Sequence, residues 1–225
     1  MNGHPVTFSG NGSGYSGYLC ESGSGPGVIV IQEWWGLVGH IRSVADRFAG
    51  AGFVALAPDF YHGRSTTEPD EAGSMMMALE IDDVAQVIRG AIDTLLTHPS
   101  VEGDKVGVVG FCMGGQLSMY AACIDTRVGA CVNFYGIHPN VKPDFAQLRA
   151  PILGFFAEYD EYASPQMVEQ LDQDLSALGK RHSFQTFAET HHAFFNNERP
   201  EVYDAESAEA CWNTMTSFLH EELRT

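Results

Sequence analysis

Val106-Gly107-Val108-Val109-Gly110-Phe111-Cys112-Met113-Gly114-Gly115 is the stretch on which the reading of this chain turns. An apolar run rich in β-branched residues leads into it, and a helix-forming stretch from Met113 to Ile124 follows, so the segment reads as a strand turning sharply into a helix. Gly110, Gly114 and Gly115 remove the Cβ atoms that would collide where strand and helix meet at an acute corner. A cysteine sits at the apex, in the pattern G-x-nucleophile-x-G. A purely structural turn has no need of a thiol there, which makes Cys112 the candidate reactive centre. The alternative is a buried structural cysteine, the role expected of Cys123 and Cys131.

Outward from this corner, strands and helices alternate. Pro5–Phe8 and Tyr15–Cys20 read as a hairpin around Ser9-Gly10-Asn11-Gly12-Ser13-Gly14. Val28–Ile31 is a continuous apolar run suited to a buried strand. Residues 38–50 have helical spacing, ended by Gly50 and Gly52, and Phe53–Ala57 is the next strand. A single long amphipathic helix is expected over about 74–97, with Met77, Ile81, Val84, Val87, Ile88, Ile92, Leu95 and Leu96 on its apolar face. Strands at Val106–Val109, Val128–Phe134, 151–156 and 182–187 follow, with helices at 165–178 and 203–223. This pattern predicts an α/β fold: a mostly parallel sheet with helices on both faces, an N-terminal antiparallel hairpin and no large cap domain. No linker or repeat divides residues 1–225, so one domain is expected.

Composition narrows the function. The 12 basic and 29 acidic residues give a net charge of −17, which argues against nucleic acid and anionic membranes as partners. Cys20, Cys112, Cys123, Cys131 and Cys211 are odd in number and irregularly spaced, so no disulfide framework is expected. The first residues carry neither the basic nor the apolar region of a signal peptide, and no apolar run has membrane-spanning length. A cytoplasmic protein is the expectation, with monomer the default for an oligomeric state the sequence leaves open. Nine histidines invite a metal, but no H-E-x-x-H or paired-cysteine spacing supports one. Neither metal nor cofactor is expected.

A nucleophile on a strand-to-helix turn of an α/β hydrolase is followed in chain order by an acid and a histidine, each beyond a strand. The acid belongs after the next-but-one strand, in Phe155-Phe156-Ala157-Glu158-Tyr159-Asp160-Glu161. Asp160 lies in the loop beyond the strand; Glu158 and Glu161 are rivals on spacing, and Asp160 could instead cap the following helix. The histidine belongs after the last strand, in Ala188-Glu189-Thr190-His191-His192-Ala193-Phe194-Phe195. His192 is favoured, with His191 facing solvent or backing the loop. Cys112 needs such a partner because the thiolate, not the thiol, attacks.

The chain resembles the dienelactone hydrolase (carboxymethylenebutenolidase) family. The resemblance is carried by Val30-Ile31-Gln32-Glu33 with Gly36, Ala57-Pro58-Asp59-Phe60-Tyr61, Gly110-Phe111-Cys112-Met113-Gly114-Gly115, Asp160 and His192-Ala193-Phe194, in the family's order and across most of the chain. It implies a role for Glu33 as a carboxylate that takes the thiol's proton. It further implies oxyanion donors at the backbone N–H groups of Met113 and Trp34, and a small-molecule lactone or ester substrate. Members of the family grip a substrate carboxylate with two arginines. Here Ser65–Glu80 holds no arginine, and the second position is Asn196, with Arg199 three residues on. Arg64, Trp35, Phe194 and Arg199 are therefore the candidate substrate-binding residues, weighed against surface or packing roles. The leading expectation is a hydrolase working through a Cys112 thioester. The alternatives are a thiol carboxylesterase or thioesterase of a more apolar substrate, or a non-catalytic ligand-binding relative.

Overall fold

The continuous apolar runs become the interior strands of one eight-stranded sheet. In the computed structural model, which describes residues 3–10, 12–136 and 138–224, the elements run in this order: β1 His4–Gly10, β2 Ser13–Cys20, β3 Gly25–Ile31, α1 Gly39–Gly50, β4 Val54–Pro58, α2 Pro69–Met77, α3 Ile81–Leu96, β5 Val101–Phe111, α4 Met113–Ile124, β6 Val128–Phe134, β7 Ile152–Tyr159, α5 Pro165–Ala177, β8 His182–His191 and α6 Ala205–Leu223. The strand order is β1-β2-β4-β3-β5-β6-β7-β8. The β1–β2 and β2–β4 pairings are antiparallel and those from β4 to β8 are parallel. Asn11, in the expected hairpin turn, lies outside the described residues. No large cap domain is inserted between these elements among the described residues.

Both faces of the sheet are covered, which is why its strands read as unbroken apolar runs rather than as alternation. Ile29 and Ile31 of β3 join one core with the inner faces of α3 and α4; Val28 and Val30 join the other with α1 and α6. On the second face Phe111, Phe134 and Phe195 stack with ring centroids 4.7, 5.2 and 4.8 Å apart. These rings form a rigid floor under the end of β5.

One expected element is two. The helix read over about 74–97 breaks at Ala78-Leu79-Glu80 into α2 and α3. The Ala78 N–H closes α2 onto Ser74, Glu80 is extended, and α3 restarts with Asp82 and Asp83 in its first turn. Carboxylates there favour a new helix N-terminus. Periodicity missed the break because neither Gly nor Pro marks it. Its consequence is spatial: α3 packs on the sheet, while α2 carries Pro69 and Met76 to the wall of a cleft.

Candidate active site

The chain steps from β3 to β4 on one side of the sheet and then to β5 on the other, so a crevice opens beyond the carboxyl ends of β3 and β5. Such switch points are where open α/β sheets place their sites. Ile31 and Gly110 are register partners there. Two residues beyond each stand Glu33 and Cys112, so the register itself brings the carboxylate and thiol to one crevice.

The corner at Cys112 is built as its sequence demanded. A Cβ on Gly110 would lie 1.8 Å from the Gly114 carbonyl oxygen, and one on Gly115 would lie 2.3 Å from Asn133 Oδ1. Cys112 itself has φ 54° and ψ −122°, a conformation that strains an L-residue by about 1–3 kcal/mol. Its N–H donates to the Phe134 carbonyl at 3.0 Å, and its carbonyl accepts from the Gly115 N–H at 2.9 Å. Both bonds hold the thiol half-exposed at the start of α4. Neither the Met113 nor the Trp34 N–H donates to a turn or loop carbonyl among the described residues.

His192 and Asp160 meet across the ends of β8 and β7. His192 Nδ1 lies 2.7 Å from Asp160 Oδ2. Asp160 Oδ1 accepts from the N–H groups of Tyr162 and Ala163, at 2.8 and 2.9 Å. The rivals line the same cleft in other company: Glu158 accepts from the Glu189 N–H, Glu161 is exposed, and His191 packs beside Tyr159. Burial lowers the basicity of His192. That effect is outweighed by the charges of Cys112 and Asp160 and hydrogen bonding to both, so its pKa is raised.

Glu33 is 1% exposed. Its Oε2 accepts from Asn196 Nδ2 at 2.7 Å, while Oε1 has no hydrogen-bond partner among the described residues. Burial pushes its pKa up to about 6, against the opposing pull of His192 and the Asn196 hydrogen bond. Tyr135, with φ 39°, is fully buried, and its hydroxyl has no hydrogen-bond partner among the described residues. Its pKa is raised well above the usual tyrosine value by burial and then by Glu33 and Cys112.

A cleft of about 850 Å³ opens onto these groups, walled by Trp34, Trp35, Met76, Tyr159, Tyr162 and Arg199 among others. Two of the expected binding residues are elsewhere. Phe194 is fully buried against Tyr135 and Phe187, because its side chain completes the core behind His192. Arg64 lies outside the cleft, exposed and 3.8 Å from Glu71. Arg199 and Trp35 do line the cleft, and Arg199 Nε donates to Glu201 at 2.9 Å. Tyr135 and Tyr162 escaped the sequence reading, and Asn196 entered it only as the place of a missing arginine. Tyr135, first residue beyond β6, could have been found from its place at a strand's carboxyl end. Among the described residues no group of three or more His, Cys, Asp or Glu is arranged to hold a metal ion, and no helix is long and apolar enough to cross a membrane.

A mostly parallel sheet with a strained strand-to-helix corner at a switch point defines an α/β hydrolase. Three comparisons narrow the class. The sequence model described as "Dienelactone hydrolase family" matches residues 15–223. Protein usf of Aquifex pyrophilus is 38% identical, over 98% of this chain and 99% of its own. A protein of Aquifex aeolicus provisionally named a carboxymethylenebutenolidase is 33% identical, over 99% and 100%. The solved structure of a dienelactone hydrolase-like promiscuous phosphotriesterase from metagenomic libraries superposes with a TM-score of 0.86 at 22% identity, covering 99% of both chains. The chain belongs to the dienelactone hydrolase family, and is a hydrolase of that type.

Proposed function

We propose that the protein opens lactones or cleaves small carboxylic esters through a thioester on Cys112. The observation that carries this reading is the His192–Asp160 bond at 2.7 Å beside a thiol held on a strained corner. Glu33 accepts the thiol proton, and the thiolate is stabilised by imidazolium His192. Sγ attacks the acyl carbon, and the carbonyl electron pair becomes an oxyanion facing the Met113 and Trp34 N–H groups. Collapse of this intermediate breaks the C–O bond, and His192 gives its proton to the departing alkoxide. In a lactone that oxygen stays tethered and the ring opens. Neutral His192 then takes a proton from water; the hydroxide attacks the thioester, and collapse releases the carboxylic acid and the Cys112 thiolate, which takes its proton back from Glu33. Asp160 keeps the imidazole in the required tautomer throughout.

The substrate is a small molecule. Arg199 and Trp35 are its proposed contacts, with Arg199 as the cation able to meet an anionic group. A second reading, a thiol esterase of a more apolar substrate, is favoured by the walls of Trp34, Trp35, Tyr162 and Met76. Turnover of a dienelactone and of neutral aryl esters by wild type and Cys112→Ala separates these. The expected result is loss of at least about 10³-fold in kcat for every substrate the wild type accepts. Equal turnover by both proteins would remove Cys112 from the chemistry. A strong preference for carboxylated lactones would exclude the apolar reading.

A further inference from the structure

Asn196 has every hydrogen-bonding group engaged. Its N–H donates to the Ala193 carbonyl at 2.9 Å, and its own carbonyl accepts from the Arg199 N–H at 3.0 Å. Its Oδ1 accepts from the Glu198 N–H at 3.0 Å. Only an oxygen can receive that N–H, so the NH2 group is forced to the other side of the amide plane. There it meets Glu33 Oε2 at 2.7 Å. The side chain is 3% exposed and does not line the cleft, so it acts on Glu33 rather than on substrate.

We infer that Asn196 is the positioning residue for Glu33: its oriented amide pins one carboxyl oxygen and leaves the other, buried and without a partner among the described residues, as the proton acceptor for the thiol. A neutral partner suits this task. A cation at the same distance would hold Glu33 ionised and weaken it as a base, whereas an amide fixes its direction and lets it exchange a proton near neutrality. The other groups that face Glu33 are His192 and Arg199, which favour its anion, and Glu198, which opposes it. Glu33 in turn acts on Tyr135, as does Cys112. None of these supplies a hydrogen bond to Oε1. The inference rests on the reading of Glu33 as the thiol's proton acceptor.

The test is the pH dependence of kcat/KM for a neutral aryl ester, such as p-nitrophenyl acetate. It is measured between pH 4.5 and 9 on Asn196→Ala, Asn196→Asp, Glu33→Gln and the double variant Asn196→Ala/Glu33→Gln, each checked by a thermal melt. Asn196→Ala is expected to move the acid limb up by about one pH unit, a roughly fivefold loss at pH 6 that grows to about tenfold at pH 5 and is recovered by pH 8. Asn196→Asp moves it further, since two buried carboxyls then share a proton. On the Glu33→Gln background Asn196→Ala adds nothing, because the two residues act as one unit. A uniform loss at every pH, or additive losses in the double variant, would reduce Asn196 to a structural residue and overturn the inference. If Glu33→Gln itself keeps the wild-type acid limb, the reading of Glu33 falls and the inference with it. An Asn196 limb that stays fixed while Glu33→Gln abolishes it overturns the inference alone.

Discussion

Two buried carboxyl groups share the cleft with Cys112, and their surroundings differ in kind. Asp160 is met by three donors, two backbone N–H groups and the His192 ring, and none of its oxygens is idle. Glu33 is met by one amide, and its second oxygen is buried with no partner among the described residues. Three donors make a fixed support for a charge. One donor and an idle oxygen make a group poised to take or lose a proton. The site thus separates holding from exchanging, and gives each task to a carboxyl on a different strand end.

The sharpest way to break this contrast is to remove the charge from each carboxyl in turn. Asp160→Asn keeps the shape but presents the wrong partner to His192 Nδ1. It is expected to lower kcat by about 10²–10⁴-fold at all pH values, read from steady-state kinetics. Glu33→Gln should instead change the pH profile. In the wild type, kcat/KM is expected to fall as pH drops through about 6, where Glu33 is protonated; in the variant this limb disappears.

Stability sharpens the same contrast with a smaller effect. The folded interior raises Glu33 from 4.5 to about 6, so its contribution to stability is complete below about 4.5 and is lost as pH rises through about 6. At 1.36 kcal/mol per pH unit, its ionised form costs about 2 kcal/mol at pH 7. Denaturant unfolding of Glu33→Gln and wild type should therefore agree near pH 4 and diverge by about 2 kcal/mol in favour of the variant at pH 7. A gap of the opposite sign would show that ionised Glu33 is stabilised in the fold. The smallest effects concern the arginines. Arg199→Ala is expected to raise KM for a carboxylated lactone several-fold with kcat little changed, while Arg64→Ala, outside the cleft, should leave both parameters as they are.

Much of the architecture was legible in the sequence because local chemistry and global fold agree at its centre. Met113–Ile124 and Val128–Phe134 take the bounds read from their composition. The glycines around Cys112 are needed for the reason their pattern gave. Chain order narrowed the partners to Asp160 and His192 among rivals that only geometry could separate. What stayed hidden depended on tertiary packing. The break at Ala78-Leu79-Glu80 comes from α2 leaving the sheet for the cleft, without a Gly or Pro to announce it. Phe194 follows a cleft residue in sequence, yet is itself buried in the core behind it. Asn196 was visible only as a missing arginine. Its role emerged from the Glu198 N–H that fixes which way its amide points.

The most direct test of the account is intact-protein mass spectrometry after rapid acid quench with an aryl ester, followed by peptide mapping. The account predicts one acyl group on Cys112, with accumulation when His192 is replaced by a residue too weak to drive deacylation. An acyl group mapped to another residue, or full turnover in Cys112→Ala with no adduct at all, would contradict it.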